Sequence, residues 1–381
     1  MSTDHHLVSL WESVLKLLDK PGDCVSVLGV DFSKSFNRID HSHCMRSLAR
    51  LGASNQVLGL HAAFLSGRGM QVRVGSVTSA RKPVFGGCVQ GSLLGVMQHN
   101  MCLDSLDDGL EEVTSKYVDD MSLIEGLSTS ESDNEGMIRA GKSEAAFKLI
   151  KERAEEVNMK VNTDKTTLLC IGNSREKVKT YIEDGNKRVT SVESLKLLGF
   201  HFSDSPTMGR HVEEIKKKVY NRSWTLVNLK RAGVEPRDIL AVYYSIIRSV
   251  IEYASVTYHS MLTAEQSNAL ESLQRMCVRL IFGWDRSYEL VRQEEQIELL
   301  KARREEKCLA FANKCIDHPT FKNWFPLEHD KGHSLRAVPK YAMPRFNFYR
   351  YDKSPLNFMR RLLNGEESRE NITPLVARYQ R

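Results

Sequence analysis

Residues 113–124 have the sequence VTSKYVDDMSLI, in which two adjacent carboxylates, Asp119 and Asp120, lie between two β-prone runs. The pattern predicts a β-hairpin with the Asp119–Asp120 pair at its tip. Adjacent carboxylates repel each other unless a cation offsets the repulsion. Mg²⁺ is such a cation, since it prefers carboxylate oxygens and retains positions for water and phosphate. An exposed Asp–Asp turn without a metal is the commoner meaning of so short a motif, and this alternative stays open.

A third carboxylate follows a separate apolar run. Residues 24–31 (CVSVLGVD) predict a buried strand that ends at Asp31. A strand end that supplies Asp31 beside a hairpin that supplies Asp119 would build a site for two ions, one activating an attacking oxygen and one stabilising a leaving oxygen. Phe36, five residues after Asp31, could press on the sugar of an incoming nucleotide and exclude its 2′-OH. Packing of Phe36 in the core is the alternative.

The first half of the chain mixes helical and strand patterns. Helices are predicted at 41–51, 55–65 and 143–157 and from Ser92 to about Leu106, and strands at 70–77, 166–172 and 195–202. From about residue 207 onward the apolar spacing is helical, and Pro206 breaks the pattern at the boundary. The fold class expected is therefore α+β, followed by an all-α domain.

Charge is concentrated at the C-terminus. Residues 331–381 carry 11 basic and 4 acidic residues, whereas the whole chain of 381 residues has a net charge of +6. Aromatic residues alternate with these cations, an arrangement that suits a phosphate backbone and exposed bases. A solvated, partly disordered tail that packs a few of its aromatic residues is the alternative.

Composition excludes several classes of protein. The chain contains no run of 18 apolar residues, and its N-terminus lacks the pattern of a secretory signal. The eight cysteines form no CxxC pair, which favours free thiols in a reducing compartment. We therefore expect an intracellular protein, cytoplasmic or nuclear, with no membrane partner.

Individual residues of the helical half have simpler interpretations. Helical spacing favours a core position for Trp224, a solvated helix face for Arg303 and Arg304, and packing rather than redox chemistry for Cys308 and Cys315.

Five motifs in order resemble the palm motifs of reverse transcriptases, specifically those of non-LTR (LINE-type) retrotransposons. These are DFSKSFNRIDH (31–41), GGCVQGSLLG (86–95), YVDD (117–120), NTDKT (162–166) and LKLLGFHFS (195–203). Three later segments (243–255, 270–283 and 298–307) resemble the thumb of the same family. The resemblance covers about 25–325.

The resemblance implies a right-hand polymerase palm, an antiparallel sheet with packed helices, followed by an all-α thumb and a basic tail. The corresponding segments are a residual N-terminal segment (1–23), the palm (24–204), the thumb and post-thumb (205–330) and the basic aromatic tail (331–381).

The resemblance also assigns site residues. Asp31, Asp119 and Asp120 would bind two Mg²⁺ ions, with Mn²⁺ as an alternative, and Lys165 would neutralise or protonate the leaving pyrophosphate. The substrate-binding residues would be Phe32, Phe36 as sugar gate, Gln90, Gly91, Ser92 and Tyr117. The primer grip would be Leu198, Gly199 and Phe200. The implied partners are an RNA template, a DNA primer and deoxynucleoside triphosphates.

Two features depart from the family pattern. Only 30 residues precede Asp31, where the family places a fingers region of well over a hundred residues, so an N-terminally truncated polymerase is expected and a partner that supplies fingers is unknown. Gln98 and His99 stand where the family is apolar or aromatic, and burying them without partners would cost about 1–3 kcal/mol each.

Three functions stay open at this stage. The first is an RNA-directed DNA polymerase, and the second is a catalytically silent remnant that only binds nucleic acid. The third, a general two-metal nuclease, accounts for the carboxylates but leaves Phe36 and the QGS loop unexplained.

Overall fold

The computed structural model describes residues 2–18, 23–110, 114–172, 178–327 and 353–366. The chain divides into two compact units. The sheet unit comprises Cys24–Leu197, and the helical unit comprises Met1–Asp23 together with Leu198–Arg381. The expected segmentation placed the boundary at residue 204 and kept 1–23 separate, whereas in the structure the N-terminal segment belongs to the helical unit. Most of the predicted basic tail lies outside the described residues.

The sheet unit contains both helices and strands, and helices dominate the helical unit. The helices are α1 (Thr3–Leu17), α2 (Ser35–Arg38), α3 (His41–Arg50), α4 (Asn55–Leu65), α5 (Leu93–Leu103), α6 (Gly141–Glu156), α7 (Gly209–Arg231), α8 (Pro236–Tyr243), α9 (Ser249–Ile251), α10 (Ser255–Tyr258), α11 (Ala264–Phe282), α12 (Tyr288–Glu294), α13 (Leu300–Ile316) and α14 (Pro355–Asn364). The strands are β1 (Asp23–Val30), β2 (Gly69–Met70), β3 (Arg73–Val74), β4 (Val77–Thr78), β5 (Lys82–Pro83), β6 (Thr114–Tyr117), β7 (Asp120–Ser128), β8 (Met137–Arg139), β9 (Thr167–Gly172), β10 (Lys179–Asp184), β11 (Lys187–Thr190), β12 (Ser194–Leu197) and β13 (Phe200–Ser203).

A four-stranded sheet in the order β6-β7-β1-β9 forms the centre of the sheet unit. The outer pairs β6–β7 and β1–β9 are antiparallel, with Val27 opposite Leu169 in the second pair. Cys24, Val25 and Leu28 of β1 have no exposed surface. An apolar run of this length is typical of a strand buried on both faces, and it fixes the strand end at which Asp31 lies. The expected α+β class, with an antiparallel sheet and packed helices, is confirmed.

Helices cover this sheet through their apolar faces. Phe147, Ile150 and Ala154 of α6 are fully buried in a core that also contains Leu28 of β1. Their spacing of three and four residues places them on one helix face. This burial of apolar surface, at about 25 cal/mol per Å², holds the sheet in place.

A three-stranded sheet in the order β11-β10-β8 lies in the same unit, and the sequence analysis did not predict it. The run predicted as one strand at 70–77 instead forms parts of two small ribbons, β2–β5 and β3–β4. All eight residues of these short strands are exposed.

The helical unit has its own core. Trp11 of α1 is buried, its indole N–H faces the sulfur of Met261, and its ring lies 5.2 Å from that of Phe202. Deeper in the unit, the Tyr243 hydroxyl donates to Gln274 at 2.8 Å. The N-terminal helix is thus an integral part of this core.

Two expectations for the helical unit were wrong. Trp224 is 57% exposed and lies under the guanidinium of Arg231, so it is not a core residue. Arg304 is fully buried and donates to His259 and Ser267, so it does not lie on a solvated face.

Three other residues of α13 were also interpreted from the sequence. Arg303 pairs with Glu252 and Glu298. Cys308 and Cys315 are buried in an apolar cluster, as expected. The two adjacent arginines therefore have different partners, since Arg303 pairs with carboxylates and Arg304 bonds to neutral side chains.

Within the described residues, no single helix is long and apolar enough to cross a membrane. The pair Pro236–Ile251 and Ser255–Met261 reaches the required length and apolarity only when both parts are counted together, and it is bent by 43°.

Candidate active site

Asp31 lies directly after β1, at the end of the buried strand, as the sequence predicts. Its backbone carbonyl accepts a hydrogen bond from the Asn162 N–H at 2.7 Å, and the Ser33 N–H donates to the Lys160 carbonyl at 2.8 Å. These bonds attach the chain that leaves β1 to the segment that carries NTDKT. The backbone of Asp31 is thereby fixed relative to the fourth motif.

The YVDD motif forms the predicted hairpin, but its tip is shifted by one residue. Tyr117 pairs with Asp120 across the ladder, so the two-residue turn consists of Val118 and Asp119. Val118 has φ +57°, a left-handed conformation that is costly for a β-branched residue. Backbone strain of this kind persists only where the surrounding structure enforces it, and it concentrates at functional sites.

The three carboxylates affect one another electrostatically. Burial raises the pKa of Asp120, and the nearby charges of Asp119 and Asp31 raise it further. The Ser35 hydroxyl of α2 donates a long hydrogen bond of 3.4 Å to Asp119 Oδ2. Asp31, Asp119 and Asp120, which we call the carboxylate edge, therefore concentrate negative charge at one end of the sheet.

A cation would suit this charge, although the side chains do not form a closed ligand shell. No group of three His, Cys, Asp or Glu side chains within the described part of the chain is arranged to hold a metal ion. Burial is the main cause of the raised pKa of Asp120, and the like charges of Asp119 and Asp31 add to it. A bound divalent ion would offset the repulsion from these two charges. The residues therefore fit a divalent ion in charge and donor chemistry.

Phe36, the predicted sugar gate, has an aromatic partner. Its ring stacks on that of His99 of α5, with centroids 3.9 Å apart and planes 8° apart. Phe36 itself is half-buried, whereas His99 is fully buried. One face of the gate residue thus rests on a side chain that the family pattern did not predict.

The burial of His99 leaves its polar atoms poorly satisfied. Neither ring nitrogen has a well-formed hydrogen bond to any described residue. Burial lowers the pKa of His99, with Asp119 and the Asn100 side chain acting in the opposite direction. Gln98 is also fully buried, and its amide nitrogen lies 3.0 Å from Nδ1 of His61 while its oxygen has no partner among the described residues.

The QGS loop packs closely against the first motif. Gly87 has φ +83°, and a Cβ there would lie 3.0 Å from the carbonyl oxygens of Phe36 and Asn37. Gln90 is exposed and donates to Asn37 Oδ1 at 3.0 Å, and Gly91 is also exposed. Glycine at position 87 therefore allows the loop to lie directly on the chain that follows Asp31.

Ser92 has a local structural role in addition to any contact with substrate. Its hydroxyl accepts from the Gly95 N–H at 3.0 Å and donates to the Val89 carbonyl at 2.9 Å. It is therefore the N-cap of α5. The loop conformation is fixed by this cap.

Three other predicted site residues occupy different environments. Phe32 is buried and forms an isolated bridge with Val161, so its side chain belongs to the core. Tyr117 is half-buried and is the last residue of β6. Lys165 is exposed, and its N–H donates to the Asn162 carbonyl, the same residue whose N–H bonds to Asp31.

The predicted primer grip lies in the helical unit. Leu198 and Gly199 both have positive φ, +46° and +80°, and form a turn before β13. The Tyr253 hydroxyl donates to the Leu198 carbonyl, and a Cβ at Gly199 would lie 3.2 Å from the Tyr253 ring. Phe200 is fully buried and stacks on His211 at 4.2 Å.

Sequence analysis missed two interactions in the site, the hydrogen bond from Ser35 to Asp119 and the stacking of His99 on Phe36. Ser35 lies within the quoted first motif, but a serine at that spacing gave no indication of a carboxylate partner. His99 was noted only as a departure from an apolar pattern. Its stacking on Phe36 follows from how α5 packs against α2, which no local pattern encodes.

The carboxylate edge lies within the part of the chain that matches a known family. Over residues 2–202 the chain matches the family described as reverse transcriptase (RNA-dependent DNA polymerase), so it belongs to the reverse transcriptase family. The sequence-based assignment is thereby confirmed. Proteins of this family generally use divalent metal ions.

Among curated proteins, the chain is similar to the RNA-directed DNA polymerase from mobile element jockey of Drosophila melanogaster. The two are 21% identical over 266 residues, which is 67% of this chain and 28% of the relative. The chain thus spans less than a third of the length of that relative.

Among solved structures, telomerases match with low sequence identity. Telomerase of Candida tropicalis, in complex with a TWJ fragment of telomeric RNA, has a TM-score of 0.38 at 10% identity over 78% of this chain and 53% of that chain. Telomerase of Candida albicans, in the same kind of complex, has a TM-score of 0.35 at 13% identity over 84% and 52% of the two chains.

Proposed function

We propose that this chain is an RNA-directed DNA polymerase of a non-LTR retrotransposon, which adds deoxynucleotides to a DNA primer on an RNA template. The observation that carries the proposal is the carboxylate edge, where Asp31, Asp119 and Asp120 converge within the segment that matches the family. An intracellular site of action, cytoplasmic or nuclear, follows from this function.

Asp31, Asp119 and Asp120 would hold the divalent ions, which we propose are two Mg²⁺ ions, with Mn²⁺ as an alternative. Such ions neutralise charge on the transferring phosphate and the leaving pyrophosphate. The chain contributes the position of its carboxylates, because the strand end and the hairpin ladder hold their backbones in place.

The remaining predicted residues would position substrates. The half-buried Phe36 would contact the sugar of the incoming nucleotide, with the stacked His99 restricting its movement. The exposed Gln90 and Gly91 would meet the template–nucleotide pair, and the exposed Lys165 would neutralise the leaving pyrophosphate.

The turn at Leu198 and Gly199, fixed by Tyr253, would support the primer terminus. Exposed Tyr220 and Trp224 on the basic helix α7 offer a surface for the primer–template duplex. Aromatic and cationic side chains together suit a nucleic-acid backbone.

Primer extension on an RNA template with Mg²⁺ and deoxynucleotides tests the proposal. The wild-type chain is compared with Asp119→Ala/Asp120→Ala and with a matched control, Glu155→Ala/Glu156→Ala, which removes an adjacent pair of exposed acids at the end of α6. We expect extension by the wild type and the control and none by the first variant. Equal extension by all three proteins would exclude the carboxylate edge as the catalytic site.

One observation favours a second function, a catalytically silent protein that binds nucleic acid. Gln98 and His99 are buried with unsatisfied polar atoms, and the ring of His99 stacks on Phe36. Such packing is costly, and it marks the helix after the QGS loop as altered. Binding of primer–template without extension by the folded wild-type chain would support this second function.

A further inference from the structure

A long stretch of the sheet unit contains no acidic residue. Between Asp40 and Asp104 the sequence has 63 residues with six Lys or Arg and no Asp or Glu, and the rest of the chain carries 48 basic and 48 acidic residues. The net charge of +6 is therefore equal to the charge of this one segment, which we call the acid-free segment (residues 41–103).

The acid-free segment encloses an open cavity of about 640 Å³. Its walls come from α3, the end of α4 and the β2–β5 ribbon, and none of the described lining residues carries a carboxylate. Arg68 and Arg81 supply positive charge, Met45 and Leu65 supply apolar wall, and Phe85 lies at the cavity with 84% of its surface exposed. A volume of this size lies within the range of about 300–1,000 Å³ that is usual for small-molecule sites.

Both arginines are anchored to the backbone rather than paired with acids at the cavity. Arg68 donates to the Phe64 carbonyl at 3.2 Å, and Arg81 donates to the Gly67 carbonyl at 2.9 Å. A Cβ at position 69 would lie 2.2 Å from Arg81 Nε, so glycine at this position is what lets the Arg81 side chain lie across the ribbon. Each guanidinium keeps further N–H donors, because it has five.

The cavity adjoins the QGS loop. His41, which lines the cavity, lies with its Nε2 3.0 Å from the Gly87 carbonyl, and Asp40 forms a bridge with Gly86. Only a few residues separate Phe85 from the exposed Gln90. A strand held in the cavity would therefore continue to the loop beside the first motif.

We propose that this cavity binds unpaired single-stranded RNA, with phosphates on Arg68 and Arg81 and a base against Phe85. Paired guanidiniums suit phosphates, and an exposed aromatic ring stacks on a base of any identity. The choice of RNA over other polyanions rests on the proposed function, in which RNA is the template.

Fluorescence anisotropy with a short fluorescein-labelled oligouridylate tests the site in the full chain at several salt concentrations. Arg68→Gln/Arg81→Gln is expected to weaken binding about tenfold and to reduce the salt slope by about 1.4, since each phosphate contact on a single strand contributes about 0.7. Phe85→Ala is expected to weaken binding about tenfold without changing the slope. Gly69→Ala should weaken binding while retaining every charge, because it displaces Arg81.

Two matched controls should bind as the wild type does. Arg50→Gln removes a cation of the same segment that is already paired with Asp104 and Asp108. Val74→Ala removes apolar surface from a residue that is 75% exposed on the neighbouring ribbon. Circular dichroism of each variant establishes that it is folded.

Photo-crosslinking locates the strand independently of any variant. RNA that contains 4-thiouridine should crosslink to peptides that contain Phe85. The proposal would be overturned if the folded arginine variant bound RNA with the affinity and salt slope of the wild type. It would also be overturned if the control variants lost as much affinity as the arginine variant, or if crosslinks formed only at other peptides. Tighter binding of single-stranded DNA or of duplex, with the same variant losses, would reassign the site and also overturn it.

Failure of this RNA site and failure of the proposed polymerase function give different results. Extension by the wild type with unaltered RNA binding by the arginine variant would leave the polymerase function in place and remove this site. If the wild type extends no primer but binds RNA, and the arginine variant loses that binding, the RNA site would remain and the polymerase function would be excluded.

Discussion

The carboxylate edge and helix α5 lie in the same unit and bury polar groups with opposite consequences. At the carboxylate edge, Asp120 is partly buried beside two like charges, which a divalent ion would neutralise. In α5, His99 and Gln98 are fully buried with atoms that no described residue satisfies. The comparison separates buried polar groups whose cost a ligand of complementary charge would offset from buried polar groups whose cost stays uncompensated.

The largest expected effect separates activity from stability at the carboxylate edge. Asp119→Asn should lower single-nucleotide incorporation by about a thousandfold or more, because it removes the electrostatic contribution of a carboxylate that we propose binds the metal ions. The melting temperature of this variant should equal that of the wild type or be slightly higher. Rapid-quench incorporation assays measure the first effect, with Glu155→Gln as the control. Incorporation within tenfold of the wild type would contradict the assigned role.

The next effect concerns the packing of α5 against the QGS loop. Gly95→Ala would place a Cβ 2.2 Å from the Val89 carbonyl oxygen, a backbone atom that cannot move away freely. We expect a loss of about 2–3 kcal/mol in the free energy of unfolding, measured by urea denaturation. Val96→Ala, at the exposed neighbouring position, should change it by less than about 0.5 kcal/mol. Equal stability of the two variants would show that the loop adapts.

The hairpin, the strand before Asp31 and the helices of the first half could be predicted because each has a local pattern. Helix 55–65 was predicted at its observed bounds, and the strand at 24–31 differs by one residue at each end. The hairpin tip was misplaced because the sequence does not show that Tyr117 pairs with Asp120. A left-handed Val118 violates local preference, so propensity could not place the turn there.

Long-range packing set the remaining differences. The sheet β11-β10-β8 joins segments about forty residues apart, and its short strands have weak alternation. Arg304 was expected in solvent because it lies in a charged run, yet helix packing buries it against His259. The acid-free segment can be read from the sequence, but its defining feature is the lack of Asp and Glu over 63 residues. A search for short motifs does not detect such a feature.

A moderate effect should distinguish a costly histidine from a useful one. His99→Leu removes two ring nitrogens that lack well-formed hydrogen bonds, and it loses the stack on Phe36. The net result should be a gain of about 1 kcal/mol in the free energy of unfolding at neutral pH. His43→Leu should have the opposite sign, because His43 bonds to Ser47 at 3.1 Å and to the Cys102 carbonyl at 3.4 Å.

The pH dependence sharpens the same comparison. Because the folded chain lowers the His99 pKa, the unfolded chain binds more protons below pH 6.5, and stability falls as the pH falls through that range. His99→Leu should lose this part of the acid sensitivity. The buried His211 and His259, whose pKa values are lowered to about 3, contribute to the acid sensitivity of both the wild type and the variant. A steeper acid dependence in the variant than in the wild type would contradict this assignment.

The smallest effect tests whether a cation relieves the carboxylate edge. The folded chain raises the Asp120 pKa, so ionising this group destabilises the fold, and the full cost is present above the folded pKa. Asp120→Asn should therefore melt about 1–2 °C higher than the wild type at neutral pH. The difference should vanish below the ordinary pKa of 3.8, where both states carry a protonated carboxyl in the wild type.

Adding Mg²⁺ without nucleotides distinguishes repulsion from a simple packing change. If repulsion among Asp31, Asp119 and Asp120 is the cause, Mg²⁺ should raise the melting temperature of the wild type and leave that of Asp120→Asn nearly unchanged. Glu156→Gln, an exposed acid at the end of α6, should respond to Mg²⁺ as the wild type does. A gain from Asp120→Asn that persists at saturating Mg²⁺ would show that the ion does not bind there. The carboxylate edge would then resemble α5, a region whose buried polar groups have no ligand to satisfy them.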